Sequence, residues 1–174
     1  MTNELHDSDE NTGTMDVLER HQFDTSKLQE YMHENVNGFE GKIKLEEFKG
    51  GQSNPTYKVI TPNQSYVLRR KPPGKLLKSA HAVDREYKVI TALNKTEVPV
   101  PKSYALCEDE DIVGTSFYIM EFKDGRVLWD PAMESSDIEE ANGVYKSMND
   151  SMAKLHSVDP NEIGLEDFGK PGNY

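Results

Sequence analysis

Residues 48–71, FKGGQSNPTYKVITPNQSYVLRRK, decide how the rest of the chain reads. Gly50-Gly51 can take backbone angles closed to other residues and lets a ligand come close to the main chain. Tyr57, Val59 and Thr61 alternate with polar neighbours, which predicts a strand, and Pro62-Asn63-Gln64-Ser65 turns the chain back. Tyr66-Val67-Leu68 then leads into Arg69, Arg70 and Lys71. A glycine turn opposite a strand with fixed positive charge suits a nucleoside triphosphate, because the turn covers the phosphates and a cation sits across from them. Each part has a plainer reading too. Gly50-Gly51 equally suits a simple hairpin turn, and the basic segment suits a solvated loop.

Working towards the N-terminus, Ile43 to Lys49 reads as a first strand, with Ile43, Leu45 and Glu47 on one face. Asp24-Thr25-Ser26 can cap a helix running through Leu28, Tyr31 and Met32 to about Val36, with Gly38 as its stop. Residues 1–22 are rich in Asp, Glu, Asn and Thr, and read as a disordered acidic leader. Towards the C-terminus, Pro72-Pro73-Gly74 breaks the third strand. Val83, Tyr87, Ile90 and Leu93 then predict a helix over about residues 80–95, which the prolines at 99 and 101 end. Ser103 to Cys107 predicts a fourth strand, followed by the acidic turn 108–111. The almost wholly apolar Thr115 to Met120 predicts a fifth strand, buried on both faces. After a connector at 121–125, Ser135-Ser136-Asp137 predicts the cap of a long helix. Ile138, Ala141, Val144 or Tyr145, Met148, Met152 and Leu155 give it an apolar stripe.

Composition narrows the function classes. The chain has 174 residues, 35% of them hydrophobic and 9% aromatic, and a net charge of -11. Its mean hydropathy is -0.76. That charge argues against a nucleic-acid or anionic-membrane surface as main partner. No run of about 18 apolar residues is present, so no membrane-spanning helix is expected. Neither a signal-peptide core nor an arginine-rich transit pattern is visible, which makes a cytoplasmic location the default expectation. Cys107 is the one cysteine and can form no internal disulfide. Against the acidic background, residues 69–78 hold Arg69, Arg70, Lys71, Lys75 and Lys78 with no acid among them.

Six segments in order, SNPTYKV, YVLRRKPPG, HAVDREYKVITAL, VPVPK, GTSFYIMEFKDGR and MAKLHSVD, resemble successive motifs of the aminoglycoside phosphotransferase/choline kinase-like family. They resemble in particular the kinase-like domain that precedes an acyl-CoA dehydrogenase module in some large eukaryotic dehydrogenases. The resemblance spans about residues 24–174 and implies an α+β fold. It implies a protein-kinase-like small lobe at 23–125, a five-stranded antiparallel sheet plus one helix, with the connector included. Residues 126–174 would begin the large lobe with its first long helix. Gly51, Gln52, Ser53 and Asn54 would form the loop facing the ATP phosphates. Arg69 stands where the family's phosphate-contacting lysine is usual, a change to a planar and bulkier cation. Glu86 would be the carboxylate that holds it, although from the residues alone Glu86 also suits a surface position on its helix. Met120 would back the adenine, with Glu121, Phe122 and Lys123 along the connector and the main chains of Glu121 and Lys123 bonding the base.

The resemblance further implies ATP with Mg²⁺ as cofactor, a small-molecule hydroxyl as phosphate acceptor, and a C-terminal dehydrogenase module or other covering partner. It also implies a peroxisomal or mitochondrial alternative to the cytoplasm. The catalytic side is another matter. His156-Ser157-Val158-Asp159 has His-x-x-Asp spacing where the family's catalytic loop has His-x-Asp, so His156 reads as a helix C-terminal residue. His6, His21, His33, His81 and His156 are scattered without metal-ligand spacing. No catalytic residue and no metal ligand is therefore assigned. The expectation is a nucleotide-binding part that does not transfer phosphate by itself, with a non-catalytic binding or regulatory module as the alternative.

Overall fold

The computed structural model describes residues 12–50, 54–74, 81–128, 130–134 and 136–169. The expected site residues Gly51, Gln52 and Ser53, together with Lys75, Lys78 and Ser135, lie outside these. One antiparallel sheet organises the chain, in the order β1-β2-β3-β4-β6-β5. Its strands are β1 (Thr14–Met15), β2 (Lys44–Phe48), β3 (Thr56–Ile60), β4 (Ser65–Arg70), β5 (Ser103–Cys107) and β6 (Phe117–Glu121). The helices are α1 (Thr25–Asn35), α2 (Val83–Leu93), the single turn α3 (Glu110–Val113) and α4 (Ile138–His156). This is the expected α+β, kinase-like arrangement.

Residues alternate across a strand, so each strand serves two faces. On one face Tyr57, Val59, Tyr66, Leu68, Phe117 and Ile119 close over Leu28 and Met32 of α1. Leu28 and Met32 are fully buried, worth about 1.5–3 kcal/mol each. The carboxylate of Asp24 caps α1 by accepting from the Ser26 N–H at 2.8 Å, as its sequence predicts. On the other face lie Thr56, Lys58, Val67, Arg69, Tyr118 and Met120, with α2 across from part of it. β6 runs between β4 and β5, and Phe117, Tyr118 and Ile119 are buried on both its faces.

Several expectations need correction. Residues 12–22 are not a disordered leader. Thr14 and Met15 pair with Phe48 and Glu47, so the sheet has a sixth strand, and Glu19–His21 forms a 3-10 turn. The reason is long-range: the buried Glu47 carboxylate accepts from the Leu18 N–H at 3.1 Å and from His21 Nδ1 at 2.7 Å. β6 starts two residues later than expected and keeps Glu121, whose N–H donates to the Lys102 carbonyl at 2.8 Å. The acidic turn closes into α3, with Asp109 as its cap and Gly114 at φ 87° as its stop. The expected capping segment of α4 holds, with Asp137 as the cap, accepting from the Glu140 N–H at 2.8 Å. No residue of α4 is buried, and its apolar stripe, including Met148 and Met152, faces solvent.

Candidate functional site

Strand register places the candidate residues. Thr56, Arg69 and Tyr118 stand opposite one another on β3, β4 and β6, and so share a face. Two residues along each strand, about 7 Å away, Lys58, Val67 and Met120 form a second row on that same face. The first row is polar and the second is largely apolar. That alternation sets a charged end and an oily end side by side.

Helix α2 completes the polar end. Its Glu86 carboxylate accepts from Arg69 Nε at 2.7 Å, while Arg69 Nη1 donates to Thr56 Oγ1 at 3.2 Å. The Tyr118 hydroxyl donates to the same Glu86 oxygen at 3.1 Å. Burial, reinforced by the Glu86 charge, raises the Tyr118 hydroxyl well above its ordinary value, so it stays a donor. Asn54, at 3% exposure, donates from Nδ2 to the other Glu86 oxygen at 3.3 Å. The guanidinium plane is thereby fixed by two partners. Both charged side chains remain about a third exposed, so this pair orients more than it stabilises.

At the other end, Phe122 stacks on Phe48 with ring centroids 6.4 Å apart, and Lys58 Nζ lies 4.1 Å above the Phe122 ring. Glu121 is engaged. Its carboxylate accepts from the Lys102 N–H at 3.1 Å and from Lys123 Nζ at 2.7 Å. Its N–H is taken by Lys102, which leaves its carbonyl as the main-chain group to offer a ligand. An open groove of about 520 Å³ runs along α2 past Ala82, Glu86 and Ile90, and Phe168 borders it. Arg85 holds Phe168 there, donating to its carbonyl at 3.1 Å and resting 4.3 Å from its ring.

The fold brings Asn54, Arg69, Glu86 and Met120 to one face, with Phe122 at its edge. It does not bring Arg70 there. Arg70 was expected to add to the phosphate-facing charge, but alternation turns it to the opposite face, where it is 3% exposed. It donates to the carbonyls of Val113 (2.7 Å) and His21 (3.2 Å). Sequence reasoning also missed Thr56, Lys58, Phe48 and Tyr118. The two-residue step from Met120 back to Tyr118 signals the last of these. The others need the cross-strand register, which no single strand carries. His156 ends α4, and the Asp159 carboxylate is engaged in a local turn with Asn161. Among the described residues, no group of three or more His, Cys, Asp or Glu side chains could hold a metal ion. Among them too, no helix is long and apolar enough to cross a membrane.

Residues 44–174 match the model of the phosphotransferase enzyme family. A crystal structure of a Ralstonia eutropha protein assigned as an aminoglycoside phosphotransferase superposes with a TM-score of 0.77 at 50% identity. That match covers 88% of this chain and 44% of that one. The chain is 47% identical over 166 residues to the probable acyl-CoA dehydrogenase IBR3 of Arabidopsis thaliana, covering 91% of this chain and 20% of that protein. It is 37% identical over 163 residues to the human acyl-CoA dehydrogenase family member 11, covering 91% of this chain and 21% of that protein. The chain thus spans about a fifth of the length of these relatives.

Proposed function

From the premise that the chain belongs to the phosphotransferase enzyme family, we propose that it is the ATP-binding part of a small-molecule kinase. The observation that supports this best is the Arg69–Glu86 pair, oriented beside an apolar row on one sheet face. A triphosphate needs a cation held in place before it arrives, and Glu86 and Thr56 hold this one. A purine needs flat apolar surface, and Val67 and Met120, paired on the same face, would supply it with Phe122, which stacks on Phe48. The donor set therefore fits the nucleotide. Arg69 would bind phosphate oxygens and Asn54 steadies Glu86, while Gly51, Gln52 and Ser53, expected to face the phosphates, lie outside the described residues. The carbonyl of Glu121 and the main chain of Lys123 bond the base edge, with Phe122 between them.

When bound, ATP supplies the γ-phosphoryl group and a good leaving group. This chain's own residues bind, orient and shield that group. The described residues offer no set fit to hold Mg²⁺, so no step is assigned through the metal. The acceptor in the longer protein would be a hydroxyl; an acyl-CoA-linked hydroxy acid is our proposal, made because the relatives are named acyl-CoA dehydrogenases. A second reading, a nucleotide-binding module that transfers nothing, draws support from His156 and Asp159, which serve a helix end and a turn.

Thermal unfolding tests the first claim. With Mg·ATP at about 100 times its Kd, stabilisation of about 2.7 kcal/mol should raise Tm by roughly 5–10 °C. Arg69→Met should lose most of that rise while unfolding near the wild-type temperature in the absence of ligand. An unchanged Tm for the wild-type protein at millimolar Mg·ATP would remove the proposal. Transfer to a hydroxyl, measured in the longer protein, separates kinase from module.

A further inference from the structure

His81 sits just before α2, whose N-cap Ala82 makes no side-chain capping bond, and its backbone is unusual. Its φ is 60°, in the left-handed region that side chains other than glycine rarely adopt. Such a backbone persists where the surroundings over-determine it. The His81 carbonyl accepts from the Val83 N–H at 2.9 Å, and its side-chain Nδ1 is 2.7 Å from Oδ1 of Asn54. Asn54 is 3% exposed, so its amide must find its partners inside the protein.

The direction of each bond follows from donor and acceptor chemistry. Glu86 Oε1 is 3.3 Å from the Asn54 amide nitrogen, and a carboxylate accepts, so the amide NH₂ faces Glu86. The amide oxygen then faces His81, and an amide oxygen only accepts. His81 Nδ1 therefore carries the proton and donates. The result is a directed chain from His81 through Asn54 to Glu86, whose other oxygen holds Arg69 Nε at 2.7 Å.

We propose that His81 is a positioning residue: its Nδ1–H sets the Asn54 amide, and through Asn54 and Glu86 it sets the guanidinium that meets phosphate. The proposal rests on the ATP-binding reading for the identity of the anion, and on geometry alone for the coupling. Losing the donor frees the Asn54 amide to turn, which leaves Glu86 with Tyr118 and Arg69 only.

Two substitutions separate the hydrogen bond from the backbone. His81→Gly removes the donor and relieves the left-handed backbone. His81→Asn keeps an N–H donor and tolerates that region. In ¹⁵N-labelled protein without ligand, His81 Nδ1 should be protonated. The Arg69 Nε–H and Asn54 Nδ2 signals should move in His81→Gly and return towards wild type in His81→Asn. The Kd for Mg·ATP should rise about tenfold in His81→Gly and stay within about threefold of wild type in His81→Asn. Unmoved Arg69 and Asn54 signals in His81→Gly overturn the proposal, as does a weakened Kd that His81→Asn does not restore. If the wild-type protein binds no Mg·ATP but the ligand-free signals move as stated, the ATP-binding reading falls and the coupling from His81 to Arg69 stands.

Discussion

Between Arg69 and Arg70 the chain advances by one residue, and the two guanidinium groups meet opposite environments. Arg69 lies on the half-open face and is held by Glu86. Arg70 lies on the core face with Tyr66 and Leu68, resting against the rings of Phe23 (5.0 Å) and Tyr57 (5.5 Å). Burial lowers its affinity for its proton, with the charge of Glu47 opposing that shift, yet an arginine stays charged. Arg70→Met should therefore cost about 1–3 kcal/mol in urea unfolding, because the Val113 carbonyl loses the Arg70 donor and the His21 carbonyl keeps only Tyr57 OH of its two side-chain donors. Nucleotide binding should change by less than about threefold, the reverse of the outcome for Arg69→Met. The alternation of faces was legible in YVLRR, but the side each arginine takes was not. Val67 and Leu68 are both apolar, so either face could have been the core until α1 and the N-terminal segment claimed one.

Helices α1, α2 and α4 and the strands that follow β1 were legible because each carries its own periodicity or cap within about ten residues. The N-terminal segment has neither. Its acids and amides suggest a solvated leader, and what orders it comes from residues 26 to 49 positions away: Glu47, Tyr57 and Arg70. Tyr57 OH and Arg70 Nη2 both donate to the His21 carbonyl, at 3.0 and 3.2 Å, while Glu47 receives Leu18 and His21. This clasp also covers the outer edge of β2, which would otherwise present unpaired main-chain groups. A chain beginning at residue 23 should lose at least about 2 kcal/mol of stability, from the partners removed from Glu47 and Arg70. It should also self-associate through β2, read as a concentration-dependent sedimentation coefficient. A truncated chain that stays monomeric with wild-type stability would show the clasp to be incidental.

Across the molecule, one face of the sheet is sealed and α4 stands apart, and each condition has its own measurable consequence. Burial raises the hydroxyls of Tyr31, Tyr57 and Tyr118 and the thiol of Cys107 above their ordinary values of 10.0 and 9.0. The unfolded chain releases these protons first as pH rises, so the native state binds more of them. Stability is then complete below about pH 9 and falls as pH climbs through 9 and 10, which urea midpoints between pH 7 and 11 will follow. The α4 prediction has the opposite character, since the residues concerned protect nothing. Ile138, Met148 and Met152 are 73%, 57% and 54% exposed. Substituting methionine by lysine leaves helix propensity almost unchanged. Met148→Lys combined with Met152→Lys should therefore shift unfolding by less than about 0.5 kcal/mol per site. It should also reduce dye binding to exposed apolar surface and any self-association at high concentration. A loss above about 2 kcal/mol would mean instead that α4 packs against the rest of this chain in solution, and its apolar stripe would then belong to the core.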